Sequence, residues 1–192
     1  MGVTEGTTTG VPPVVVRRAL PTEPAVRASK SLFLAEAERQ GLKAGRRMLY
    51  VGQEPAPAHI AEGLRVPAGT GVIARRKLLT ASDVPVRIAT SYFRADLFAG
   101  TRIAEPGFVQ PSLQSAIESL GHAFGHAEET LIARPPTDFE RETLELAAGE
   151  WVVQVLRTSY SAQDAPIHAL ETICAATRHV FTITQVTGHD EF

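Results

Sequence analysis

The sequence holds a single cysteine, Cys174, in 192 residues. One thiol excludes both a disulfide framework and a cysteine-rich zinc site. No apolar run approaches the roughly 18 residues that a membrane-crossing helix needs. Residues 1–12 are rich in Gly and Thr and lack the hydrophobic stretch of a secretory signal, so a cytoplasmic location is expected. Neither sign of charge dominates, with 19 Lys+Arg against 21 Asp+Glu and a formal charge of −2. Surfaces built mainly to hold nucleic acid carry a clear cationic excess, so that role is not expected of this chain. The G-x-S-x-G elbow, the P-loop and the dinucleotide fingerprint are all missing, which leaves catalysis without positive support. His122 and His126 stand four apart, but glycines precede both and no third ligand accompanies them. Neither a metal nor another cofactor is expected.

What is present is an ordinary globular composition, 44% hydrophobic and 21% charged, long enough to bury a core without staples. Residues 1–28 read as a flexible tail and linker, with a possible short strand at 14–16, and 29–192 as one domain. A helix is predicted over 29–40, capped by Ser29 or Ser31 and ended by Gly41. A strand at 48–51, a short helix at 57–64 and a glycine turn at 69–71 follow. Strands at 72–79 and 86–93 are joined by a turn at 81–84. The unit then recurs: a helix over 136–144, Gly149 in the place of Gly69, and strands at 151–160 and 167–174 around a turn. Val72-Ile73 matches Val152-Val153 at an offset of 80, and Asp83-Val84-Pro85 matches Asp164-Ala165-Pro166 at 81. A helix over 111–120, a strand over 122–134 and a closing strand at 180–186 complete the prediction. Two copies of helix–Gly–strand–turn–strand predict an internally duplicated α+β domain, one antiparallel sheet with helices packed on it.

The stretch ARRKLLTASDVPVRIATSYFRADLFAGT, residues 74–101, resembles the UTRA domain. That domain is the effector-binding half of the HutC subfamily of GntR transcription regulators, and the match is to its actinobacterial form. The resemblance resumes at Leu120-Gly121, at Glu128-Glu129, at Pro135-Pro136-Thr137 and at Val155–Tyr160 with Asp164-x-Pro166-Ile167. It implies a chorismate lyase-like fold, a small-molecule effector, homodimerisation, and DNA contact only through a winged helix-turn-helix. Residues 1–30 lack the amphipathic helices and basic face of such a module. Ala89 stands where many relatives have an acid, and Phe108–Ser112 replaces a Gly-rich turn.

The resemblance implies a ligand between the sheet and the loop entering the middle helix, its anionic group held by strand arginines and the helix start. Arg75 and Lys77 share one strand face and Arg76 lies on the other. The resemblance favours Arg75 or Lys77, and alternation alone does not choose between them. Ser112 is either a cap or a ligand hydroxyl. Arg157, the repeat partner of Lys77, shares its face with Trp151, Val153 and Val155 and is a candidate, with a surface or dimer-interface ion pair as the alternative. Glu171 and His168 point to opposite faces, and Glu171 is preferred for hydroxyls or amines of an effector. Tyr92 and Tyr160 read as core with a hydroxyl at the rim, or as ligand contacts. Cys174 reads as a small buried hydrophobe. Trp151 and Phe93 are interface or core. The alternatives to a small, anionic-metabolite effector domain are an enzyme of the same fold acting on a small acidic or natural-product substrate, with Glu171 moving a proton, and a plain dimerisation module.

Overall fold

The computed structural model describes residues 14–20 and 32–183. The predicted caps Ser29 and Ser31 and the end of the closing strand lie outside the described residues. The elements are β1 (Val16–Leu20), α1 (Leu32–Arg39), β2 (Ala44–Pro55), α2 (Ala58–Gly63), β3 (Gly71–Ala81) and β4 (Val84–Arg94). After them come α3 (Ala95–Phe98), α4 (Leu113–Ser119), β5 (Ala127–Arg134), α5 (Asp138–Thr143), β6 (Val152–Tyr160), β7 (Pro166–Ala175) and β8 (His179–Ile183).

Six strands form one antiparallel sheet in the order β2-β3-β4-β7-β6-β5. That order is a palindrome of the two sequence copies. β2-α2-β3-β4 builds one half, β5-α5-β6-β7 builds the other, and the halves join along β4 and β7. The duplication extends to the backbone. Gly69 and Gly149 follow α2 and α5 with φ of 79° and 83°. Only glycine enters this left-handed region without strain, which explains the paired glycines. Arg65 and Glu145 each have φ of 52° at the same offset. Leu64 and Leu144 each cap their helix and are fully buried. Thr137 starts α5 with a complete capping box to Glu140. Ser82 and Asp83 both have positive φ and turn β3 into β4 as a two-residue loop.

Strand alternation splits the sheet into two faces. The helix-pair face carries α2 and α5. There Ile60 and Leu64 pack with Val72, Ala74, Tyr92 and Ala169, while Leu144 and Leu146 pack with Leu78, Ile88, Val152 and Ile173. The loop face carries the rest. Ile73 and Phe93 pack under Phe98, Ile103 and Ile117 of α3, α4 and their connection. Leu79, Val86 and Ala89 pack under Phe33 of α1 and Val16 of β1.

Several expectations are revised. The predicted strand at 48–51 is the middle of a strand 12 residues long, since a bulge between Met48 and Tyr50 breaks its alternation. The strand sought in 122–134 begins only at Ala127. β1 falls inside the stretch read as tail and pairs in parallel with β8 as a separate two-stranded sheet. Phe93 is fully buried and is core rather than interface, whereas Trp151 is half-exposed.

Leu144 has no exposed surface and plugs the gap between α5 and the sheet. Leu144→Ala is expected to cost about 2–5 kcal/mol of unfolding free energy, measured by chemical denaturation. A loss below roughly 1 kcal/mol would contradict this packing.

Candidate effector site

The residues singled out in the sequence divide between the two faces. Arg75, Lys77, Ser112 and Arg157 lie on the loop face, and Tyr92 and Glu171 lie on the helix-pair face. They do not form one constellation, because the register puts Arg75, Lys77 and Arg157 in one phase of the strand alternation and Tyr92 and Glu171 in the other.

On the loop face, Arg75 pairs across the ladder with Ser91, Ser91 with Leu170, and Leu170 with Arg157. The next row runs from Lys77 through Ala89 to Thr172. Arg75 is buried, and its guanidinium donates to the carbonyls of Ile103 at 2.6 Å, Glu105 at 2.7 Å and Gly107. It therefore ties the segment between α3 and α4 onto the sheet, and those donors are taken. Lys77 has no hydrogen bond or ion pair among the described residues. Burial, with Arg46 and Arg75 nearby, pushes its ammonium down to about 8. The Arg46 guanidinium lies 4.3 Å from the ring centre of Phe108, on the tied segment. Three cations thus converge, and Lys77 is the one left without a partner.

Ser112 is the N-cap of α4 and accepts from the Ser115 amide at 3.1 Å, so its oxygen does the capping work first. Arg157 reaches Glu129 at 3.4 Å and keeps a buried Nε without a hydrogen bond. His168 is on this face, stacked on Phe93 with ring centres 4.7 Å apart.

On the helix-pair face, Glu171 is the hub. Its Oε1 accepts from Gln154 at 2.7 Å and meets His59 Nε2 at 2.8 Å, and Tyr92 donates to its Oε2 at 3.4 Å. The preference for Glu171 over His168 therefore selects the face away from the loop. Burial and the Glu171 charge push the Tyr92 hydroxyl up to about 12. Arg76 bridges Glu54 at 3.0 Å, and Arg134 holds Glu140 through two bonds of 2.7 Å. A cavity of about 300 Å³ opens here between β3, β4, β7 and α5. Arg76, Glu140, Phe139 and His59 were not singled out in the sequence. Alternation already separated Arg76 from Arg75, and the helix offset of 80 already matched His59 to Phe139. Those signals could have found them.

The UTRA domain model matches residues 39–180. The chain belongs to the UTRA domain family. An HTH-type transcriptional regulator of Streptomyces coelicolor is 31% identical over 135 residues, covering 69% of this chain and 50% of that protein. The HTH-type transcriptional repressor PhnF of Mycolicibacterium smegmatis is 28% identical over 150 residues, covering 78% of this chain and 61% of PhnF. The chain thus spans between half and three-fifths of the curated relatives it matches. The crystal structure of the PhnF effector domain superposes with a TM-score of 0.71 at 26% identity, covering 90% of this chain and 100% of that domain. The antiparallel, duplicated α+β architecture is accordingly that of the chorismate lyase-like effector domains of GntR regulators. For this UTRA domain the relatives favour ligand binding over the enzymatic alternative.

The contact with Glu171 raises the His59 pKa above its ordinary value, chiefly through their hydrogen bond. A raised histidine stabilises the fold fully below the unfolded pKa, and the gain disappears as pH rises through the folded one. An NMR titration is expected to place the His59 midpoint above 6.5. Glu171→Gln should bring it down, and an unchanged midpoint would rule out this pairing.

Proposed function

We propose that this UTRA domain binds a small anionic metabolite on the loop face and serves as the effector-binding part of a cytoplasmic GntR-type regulator of the HutC subfamily. The observation that carries the reading is Lys77, a partly buried ammonium without a partner, flanked by Arg46 and Arg75. An uncompensated cation in a shielded position costs free energy, and an entering phosphate or carboxylate repays that cost. Ser91 and Thr172 are buried beside it and offer hydroxyls. The Ser112 cap and the start of α4 stand at the end of the segment that Arg75 ties down. Arg157 lies further along the Arg75 row and carries an unused buried Nε–H that can donate to a larger ligand. Arg75 acts mainly by holding the 103–107 carbonyls, so it shapes the site more than it touches the ligand. Ala89, between Lys77 and Thr172 in the ladder, adds no acid to repel an anion.

In a complete regulator such an effector acts by favouring one arrangement of two DNA-reading heads over another, a population shift set by differential affinity. DNA contact would come through a winged helix-turn-helix outside this domain. The domain acts as a homodimer in this reading. β5 is an edge of the sheet, and Leu131 and Ile132 on it are exposed, as is Trp151 near the same end. Exposed apolar positions on an open edge are a natural pairing surface.

The test is calorimetric titration against a panel of phosphorylated sugars and small carboxylates, with thermal midpoints in parallel. A true effector at about 100 times its Kd adds roughly 2.7 kcal/mol to stability. Lys77→Met should weaken binding at least about tenfold, the equivalent of roughly 1.4 kcal/mol. Affinity should also fall as pH rises past about 8, where Lys77 loses its proton. If every anion in the panel leaves the midpoint unchanged, or Lys77→Met binds as tightly as the parent, the reading fails.

A further inference from the structure

The cavity on the helix-pair face lies on the far side of the sheet from Lys77. It sits where the two copies meet. Thr90 of β4 and Glu171 of β7 are direct ladder partners and occupy matching places in the duplication. The copies differ there, one supplying a hydroxyl and the other a carboxylate. They differ again above it. On α2 the position holds His59, which reaches down to Glu171. On α5 the matching position holds Phe139, half-exposed at the mouth of the cavity. The duplication is closed on one side by the His59–Glu171 contact and left open on the other.

The polar groups at the cavity are mostly matched to one another, with two exceptions. Arg76 is neutralised by Glu54 and lies near the rings of Tyr50 and Phe139, with ring centres 5.6 and 6.0 Å from its guanidinium carbon. Glu140 is neutralised by Arg134. Glu171 accepts from Gln154 and Tyr92, which are uncharged, so its charge is balanced only when His59 is protonated. Thr90 is 3% exposed, and its hydroxyl makes no hydrogen bond among the described residues although it lines the cavity. That hydroxyl opens into the same space as the Glu171 carboxylate, and it can both donate to and accept from an occupant.

Together these groups define an occupant. With His59 neutral, the three carboxylates Glu54, Glu140 and Glu171 against the guanidiniums of Arg76 and Arg134 leave these groups one negative charge in excess, which disfavours the anions that the loop face attracts. An apolar guest would strip water from Thr90 and Glu171 without replacing it. An ammonium suits Glu171, a hydroxyl suits Thr90, and a carbon skeleton suits Ile88, Ile173 and the Phe139 ring. The volume, about 300 Å³, is at the small end of ligand sites. We propose that this cavity is a second binding site, separate from the anion site, that takes a small hydroxylated primary amine. The proposal does not depend on the effector reading, because it uses the other face and the opposite charge.

The probe pair is serinol and glycerol, which share a three-carbon skeleton and differ in carrying an amine or a hydroxyl at the middle carbon. Each is titrated into the full chain and followed by backbone amide NMR. Serinol is expected to shift the amides around Thr90, Tyr92 and Glu171 saturably, and to bind at least about tenfold more tightly than glycerol. Glu171→Gln should lower serinol affinity by a further factor of about ten, a loss of roughly 1.4 kcal/mol. Should that variant fail to fold, Thr90→Val gives the same test with an expected loss of about fivefold. Lys77→Met should leave serinol binding unchanged while weakening the anion titration, so the two sites fail separately. Serinol binding no tighter than glycerol, shifts centred on the loop face, or equal affinity in Glu171→Gln and Thr90→Val would each overturn the proposal.

Discussion

The ladder between β4 and β7 is the joint on which the domain depends. Each sequence copy by itself supplies three strands and one short helix, too little to cover its own apolar surface. Six register pairs, from Arg87↔Cys174 to Tyr92↔Ala169, merge the copies into one sheet with two coverable faces. The side chains along that seam are nearly all buried. Both candidate sites straddle it, one above and one below. Side chains on a single strand turn alternately up and down, so a change in the register of β4 against β7 would disturb both at once.

The loop face shows how a charge can be structural in one position and available two positions away. Arg75 and Lys77 point the same way along one strand. Arg75 finds three carbonyls and becomes a strap for the segment ahead of α4. Lys77 finds no acceptor among the described residues. The fork of a guanidinium spans several acceptors, whereas an ammonium beside two other cations gains only a higher cost of keeping its proton. The difference lies in what the chain lays across each residue.

The duplication was legible because it leaves identical punctuation at a fixed spacing. Gly69 and Gly149, and the Asp-x-Pro turns, mark backbone needs that few residues can meet. The helices and hairpins followed from that. The division of the site residues between faces was half legible. Alternation separated Arg75 from Arg76 and Glu171 from His168, but it does not say which face carries which helix. The cavity was not legible, since it depends on His59 and Phe139 arriving over the sheet from α2 and α5. The parallel pairing of β1 was hidden for a similar reason. Its partner, β8, lies more than 150 residues away in the chain, and a strand of five residues carries little periodicity.

That short pairing also determines how the domain carries load. β1 and β8 run in the same direction, joined by five residue pairs from Val16↔His179 to Leu20↔Ile183. A pull applied ahead of β1 and after β8 drags the two strands lengthwise past each other. All the backbone bonds between them then resist together, instead of opening one by one as they would in a hairpin pulled at its ends. The chain's entry and exit are thereby clamped in shear, beside Phe33 and the end of β3, and strain arriving along the backbone is delivered to the sheet as a whole.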